Sequence, residues 1–176
     1  MDLRQAILTE HSKQQTLRIV NYIGRDQSRF DQLMHLFLTD EARITQRAAW
    51  ALSHCADRQP ALFRSHLEAM IDNLQQEGLH DAIKRNSLRI LAMQDIPEEL
   101  QGSLANLCFD HLADPQEKVA IRIYAMQVLY NFCKVEPDLA GELRILIEEH
   151  MEHGSAGFRS RGRRILRALD KLKPST

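Results

Sequence analysis

The sequence has little of what cross-links small or secreted folds. It holds three cysteines in 176 residues, Cys55, Cys108 and Cys133, an odd number at wide separations. Disulfide frameworks and zinc sites both need cysteines paired at close spacing, so neither is expected, and buried small hydrophobes are the default interpretation. A chain of this length buries roughly 70% of its unfolded surface without such links. We therefore expect a fold held by its hydrophobic core.

Glycine and proline are also scarce, with 7 and 5 residues, while 44% of the chain is hydrophobic and 27% charged. This composition is that of a globular protein and not of a disordered chain. Leu, Ala, Arg, Gln and Glu are abundant, which favours helices over strands.

Long apolar runs are missing. No stretch approaches the roughly 18 or more apolar residues that span a bilayer, and the first residues lack the basic start and apolar core of a secretory signal. We expect a cytoplasmic protein that does not insert into membranes.

Charge is distributed unevenly although the net charge is only −1. Residues 1–155 carry 16 basic and 23 acidic side chains, whereas residues 156–176 carry seven basic and one acidic. The last segment is therefore strongly basic.

The chain repeats a short pattern in which a small residue precedes a branched apolar residue by three positions. The small residues are Thr16, Ala49, Ser87, Ala125 and Gly162, at intervals of 33, 38, 38 and 37. The apolar residues are Ile19, Leu52, Ile90, Val128 and Ile165. A constant period of this length is typical of stacked helix pairs, and the small residue suits a point where two helix backbones approach closely.

Between these segments lie apolar stripes with spacings of three and four residues, which predict a second set of amphipathic helices. The stripes fall in residues 30–38, 63–74, 100–112 and 139–151. Proline lies near predicted helix starts and glycine near predicted ends. Ser12 and Gln15 have the spacing of a capping box, and residues 2–10 fit a truncated opening helix.

These patterns predict an all-α fold, an α-solenoid with about four to five antiparallel helix pairs. We expect one domain over residues 1–176, with residues 170–176 as a frayed tail. The alternative is an ordinary helical bundle, which has no reason to repeat one signature at a constant period.

The second helix of each pair resembles that of HEAT repeats, in which an apolar and a basic residue precede a small residue by four and three positions. The matching segments are IRIYA (121–125), IKRNS (83–87), FRSRG (158–162) and TQRAA (45–49). HEAT repeats commonly add an Asp six residues before the basic position, and only Asp40 before Gln46 keeps that spacing. The resemblance implies a right-handed α-α superhelix of the HEAT/armadillo-like solenoid kind, and armadillo-like or divergent helical repeats stay open.

No motif for catalysis, cofactors or metals is found. The P-loop, the GxGxxG fingerprint and the nucleophile elbow are absent, so no catalytic residue or cofactor is predicted and an enzymatic role stays undecided. His150 and His153 stand three apart, but two further ligands are missing, so no metal is expected. Trp50 occupies a position filled by Leu or Met in other repeats, which favours packing over ligand stacking.

The second helices carry an unbalanced set of charges on the side turned away from their partner helix. Fifteen positions face that way, and they hold six arginines and no acid. The arginines are Arg18, Arg47, Arg85, Arg89, Arg164 and Arg167. A surface with one sign of charge attracts an anionic partner. Alternatively, these arginines pair with acids elsewhere in the fold or are simply solvated.

Two functions follow from this surface. The first is a non-enzymatic binding module or scaffold that presents an arginine-lined concave surface to a protein partner or acidic peptide. The alternative is nucleic-acid binding, because some HEAT-like proteins are DNA glycosylases that hold DNA along a basic concave face. The pI of about 6.7 speaks against the alternative, since nucleic-acid-binding domains often exceed about 9. The sequence does not indicate an oligomeric state.

Overall fold

The structure, a computed structural model, describes residues 1–39 and 41–172. Within those ranges it contains ten α-helices, one 3₁₀ helix at Pro60–His66 and no strand, so the all-α prediction is confirmed. The α-helices are α1 Leu3–Thr9, α2 Lys13–Ile23, α3 Gln27–Thr39, α4 Ala42–Arg58, α5 Leu67–Leu74, α6 Asp81–Leu91, α7 Glu98–Ala113, α8 Val119–Cys133, α9 Leu139–Met151 and α10 Ala156–Leu169. Asp40 and residues 173–176 of the predicted tail lie outside the described residues.

The helices form two compact units, residues 1–95 and residues 96–176. In the first unit α1 packs on α2, α3 on α4, and α4 on α6. In the second unit α7 packs on α8, and α10 packs on both α8 and α9. Pairs of sequential helices joined by short turns are the repeat that the sequence predicts. The prediction of a single domain stays a prediction.

The helix boundaries follow the predicted turn chemistry, but the predicted capping box forms only in part. Gly24 ends α2 at a φ of 53°, a conformation that favours glycine, and Pro60 opens the 3₁₀ helix before α5. Ser12 caps α2 by accepting from the backbone N–H of Gln15. The reciprocal bond of a capping box is absent, because the Gln15 side chain is buried and donates instead to the carbonyl of Ala6, 2.7 Å away. Gln15 therefore ties α2 to α1.

The small residues of the repeat are buried where helices approach, as predicted. Thr16, Ala49, Ser87, Ala125 and Gly162 are all buried, and so are the five branched residues that follow them. Gly162 shows why size matters there. A Cβ at this position would lie 2.9 Å from Sδ of Met151 and 3.0 Å from Cγ2 of Ile147, so glycine allows α10 to lie close to α9.

Arg122 is the basic residue of IRIYA, the segment that best matches the HEAT pattern. It binds a backbone carbonyl and does not form an ion pair with a described acid of the turn. Arg122 is only 7% exposed, and its Nε and Nη2 donate to the carbonyl of Leu112 at 3.0 and 2.8 Å. Its Cζ lies 4.5 Å from the ring centroid of Phe158. Burial lowers the pKa of Arg122, but a guanidinium stays charged in proteins. Arg122 therefore satisfies the last turn of α7, where carbonyls lack helical partners.

Candidate binding surfaces

The positions predicted to face away from the partner helix are divided between exposed and half-buried ones. Fourteen of the fifteen are exposed or half-buried; Ala51, at 1%, is buried and does not belong to a surface. Gln127 is one of the half-buried positions. Its Oε1 accepts from Nη1 of Arg161 at 2.8 Å, which joins α8 to α10. Exposure at these positions is therefore not uniform.

Arg47 does not project into solvent. It is half-buried in α4, and its Nη1 donates to the carbonyls of Ile7 and Leu8 at 3.0 and 3.1 Å. Both carbonyls belong to the last turn of α1, where backbone acceptors have no partner within the helix. Arg47 thereby fixes α4 against the preceding pair.

Arg89 is directed at the neighbouring repeat in the same way. Its Nη1 donates to the backbone carbonyl of Ser53 at 3.0 Å and to the Ser53 hydroxyl at 2.5 Å. Its Nη2 donates to Oδ1 of Asp57 at 2.7 Å. The sequence left open that these arginines pair with acids elsewhere in the fold, and Arg89 does so with Asp57.

Arg18 and Arg85 are the exposed members of the set in the first unit. Arg18 lies on α2 and Arg85 on α6, and neither makes a hydrogen bond or ion pair with any residue in the described ranges. Their guanidiniums keep all their donors for a partner or for water.

In the second unit, Arg164 and Arg167 lie on a much larger basic surface. The side of α10 opposite its buried residues Phe158, Ile165 and Leu169 is exposed. Together with Lys171, which follows in the turn after the helix, we call it the α10 basic face, and its helical members are Arg159, Arg163, Arg164 and Arg167. None of the five pairs with a carboxylate among the described residues, and Nε of Arg167 donates to the carbonyl of Arg163 at 3.3 Å.

The single acid close in sequence does not neutralise this face. Asp170 accepts from Nη2 of Arg144 on α9 at 2.5 Å and pairs with none of the five cations. Glu148 of α9 pairs with the same Arg144, whose Nη1 lies 3.6 Å from its Oε1. The α10 basic face therefore keeps one sign of charge.

A shallow depression of about 710 Å³ adjoins this face. It is lined by Arg164, Arg167, Lys171 and Tyr130, together with apolar atoms of Ala168 and Leu172 and the paired Asp170. Tyr130 comes from the end of α8, and Nζ of Lys134 lies 4.8 Å from its ring centroid. The structure thus places Arg164 and Arg167, two of the six predicted arginines, around one depression.

The candidate residues missed by the sequence are Arg159, Arg163, Lys171 and Tyr130. The strongly basic composition of residues 156–176 already indicated the three cations. They are not among the fifteen positions predicted to face away from the partner helix, so they were left out of the predicted surface. Helical spacing alone would have grouped them, because residues four apart share a side of a helix.

Trp50 is half-exposed on α4 and packs within the first unit. The His11 ring meets it edge-on with a centroid separation of 5.3 Å, and the His54 ring lies at 6.2 Å. His11 precedes α2, so Trp50 joins neighbouring helix pairs, as a packing position should.

The three thiols are buried, as predicted for small core hydrophobes. Burial raises the pKa of Cys55 to about 12 and that of Cys133 to about 11, and it raises the pKa of Cys108 further. Since the thiolate is the reactive form, none is set up as a nucleophile.

Within the described ranges, no group of three or more His, Cys, Asp or Glu side chains could hold a metal ion. His150 is half-buried, with its ring edge-on to Phe158 at 6.4 Å, and His153 is exposed. No described helix is both long and apolar enough to cross a membrane.

Comparison with known proteins supports the repeat architecture. A family model described as a HEAT repeat domain matches residues 3–169. No curated protein matches the chain. The crystal structure of an engineered protein is similar at 13% identity, with a TM-score of 0.46 and coverage of 96% of this chain and 98% of that one.

Proposed function

This chain belongs to the HEAT repeat family, and we propose that it is a non-enzymatic binding module that presents exposed arginines to an acidic protein partner. Arg18 and Arg85 carry this role in the first unit, and Arg164 and Arg167 in the second. Arg47 and Arg89 support it indirectly, since their hydrogen bonds hold α4 and α6 in place.

The observation that carries the proposal is the α10 basic face. Four arginines cover one side of α10, Lys171 follows in the turn after it, and no described carboxylate pairs with any of the five. Four of the five are arginines, whose planar guanidinium can bind a carboxylate through two parallel hydrogen bonds. Like charges gathered on one helix destabilise it slightly when no partner is present. An anionic partner would relieve that repulsion.

A second candidate partner is a nucleic acid, and the position of Tyr130 favours it. Proteins that bind single strands combine cationic grooves with aromatic side chains on which bases stack. Tyr130 lines the depression beside Arg164 and Arg167. One aromatic residue supports little stacking, however, so the acidic protein remains the leading candidate.

The test compares two labelled anionic probes, oligo-glutamate and oligo-dT of equal charge, by fluorescence anisotropy at about 50 and 200 mM salt. We expect oligo-glutamate to bind and the double variant Arg164→Glu/Arg167→Glu to weaken binding by about tenfold or more, because like charges across an interface cost several kcal/mol. Arg18→Glu/Arg85→Glu tests the first unit in the same way.

The matched control is Arg25→Glu/Arg64→Glu, which makes the same change in charge at two exposed arginines outside the set. Equal losses in the control and in the test variants would show that only net charge matters and would contradict the proposal. Tighter binding of oligo-dT, lost in Arg164→Glu/Arg167→Glu, would establish the nucleic-acid alternative instead.

A further inference from the structure

We propose that the α10 basic face binds an extended acidic segment of the partner protein in which the carboxylates recur at every second residue. This inference rests on the proposed function and specifies the chemistry of the ligand. Three arginines of α10 form a ladder with a constant spacing of four residues, Arg159, Arg163 and Arg167, and Lys171 follows in the turn after the helix.

The ladder faces a fixed direction because the opposite side of α10 is buried in the core. Phe158, Gly162, Ile165 and Leu169 are buried, so the helix cannot rotate to present another side. Residues four apart rise by about 6 Å along a helix. In an extended strand, side chains two residues apart are on the same side and about 6.7 Å apart. Alternating carboxylates can therefore meet successive cations in register.

The composition of the face argues against a helical ligand. Helices that pack side by side bury an apolar stripe at their contact. The large hydrophobic side chains exposed in the second unit, Val119, Val135 and Ile145, lie outside α10. A segment held chiefly by its charged side chains fits this surface better.

The experiment uses the full chain and two labelled heptapeptides of identical composition, Glu-Thr-Glu-Thr-Glu-Thr-Glu and Glu-Glu-Glu-Glu-Thr-Thr-Thr. We expect the alternating peptide to bind about fivefold more tightly or better, because its carboxylates match the ladder. The variant Arg163→Glu/Arg167→Glu should abolish binding of both peptides, and Arg25→Glu/Arg64→Glu should leave the fivefold preference intact.

Circular dichroism melts verify that each variant is folded. If the charge reversal unfolds the protein, Arg163→Gln/Arg167→Gln replaces it and should remove the preference for the alternating peptide. Equal affinity of the two peptides for the wild type would overturn the inference. The proposed function would survive that result if oligo-glutamate still bound in a manner dependent on Arg164 and Arg167, whereas loss of all acidic ligands would overturn both.

Discussion

Arg89 and Asp57 form an ion pair between neighbouring repeats, with Nη2 of Arg89 2.7 Å from Oδ1 of Asp57. The same guanidinium also donates to Ser53, so one side chain of α6 makes three contacts with α4. Arg85, one helical turn earlier, points to solvent and makes none among the described residues. Two arginines that the sequence treats as equivalent therefore differ in role.

Replacing these two arginines should change the free energy of unfolding by different amounts. Arg89→Gln should lower the free energy of unfolding by about 1–2 kcal/mol, because hydrogen bonds to charged groups are lost and the Ser53 carbonyl keeps no cationic donor. Arg85→Gln should change it by no more than about 0.5 kcal/mol, as expected for an exposed position. Urea denaturation of the two variants measures both. Equal destabilisation would contradict the distinction.

Adding a side chain at Gly141 of α9 and at Gly162 of α10 should change the stability of the protein in opposite directions. Gly162→Val should destabilise by about 1–3 kcal/mol, because its side chain would overlap Met151 and Ile147. Gly141→Ala should stabilise by about 0.5–1 kcal/mol, since it lies within α9 and a Cβ there meets no described atom within 4 Å. Thermal and urea melts give both values. A stable Gly162→Val variant would refute the close approach of α10 to α9.

The buried thiols should be unreactive in the folded protein. At pH 8, an aromatic disulfide reagent should modify none of the three cysteines within minutes, because burial raises the pKa of Cys55 to about 12 and of Cys133 to about 11. All three should react in denaturant, and reductant should leave the Tm unchanged. Rapid modification of one thiol in the native state would show that its burial is incomplete.

His54 should make the first unit less stable in mild acid. Burial lowers the pKa of His54 below its usual 6.5, reinforced by Arg89, Arg58 and Lys13 and opposed by Asp57. The unfolded chain then takes up a proton more readily than the folded one. The contribution is complete above about pH 6.5 and is lost as the pH falls towards the folded pKa. His54→Gln should show a smaller drop in unfolding free energy between pH 7 and pH 5, measured by urea titration. An unchanged slope would exclude His54 as the cause.

The spacing of small and apolar residues predicted the architecture well. It depends only on which residues of a single helix lie on the buried side of that helix. The interval between Ala49, Ser87 and Ala125 was sufficient to place each small residue at a helix contact, and all three are buried. Hydrophobic stripes likewise located the helices, although Pro60 begins a 3₁₀ helix where the stripe predicts a continuous α-helix. The sequence also marked the basic last segment by its charge alone.

The contacts of long polar side chains were beyond the sequence. Spacing assigned Arg47, Arg85 and Arg89 to one surface, but their partners lie 32 to 40 residues away along the chain where partners exist. Such partners become visible only when neighbouring repeats are in place.

The sequence by itself thus determined the all-α repeat and its register, because a period of about 38 residues and the helical spacing of apolar residues need no knowledge of distant contacts. The tertiary structure alone decided which arginines are available for binding. A guanidinium on a flexible stem can reach either solvent or a carbonyl of the neighbouring helix. Arg47 and Arg89 make contacts of the second kind, whereas the α10 basic face is directed outwards.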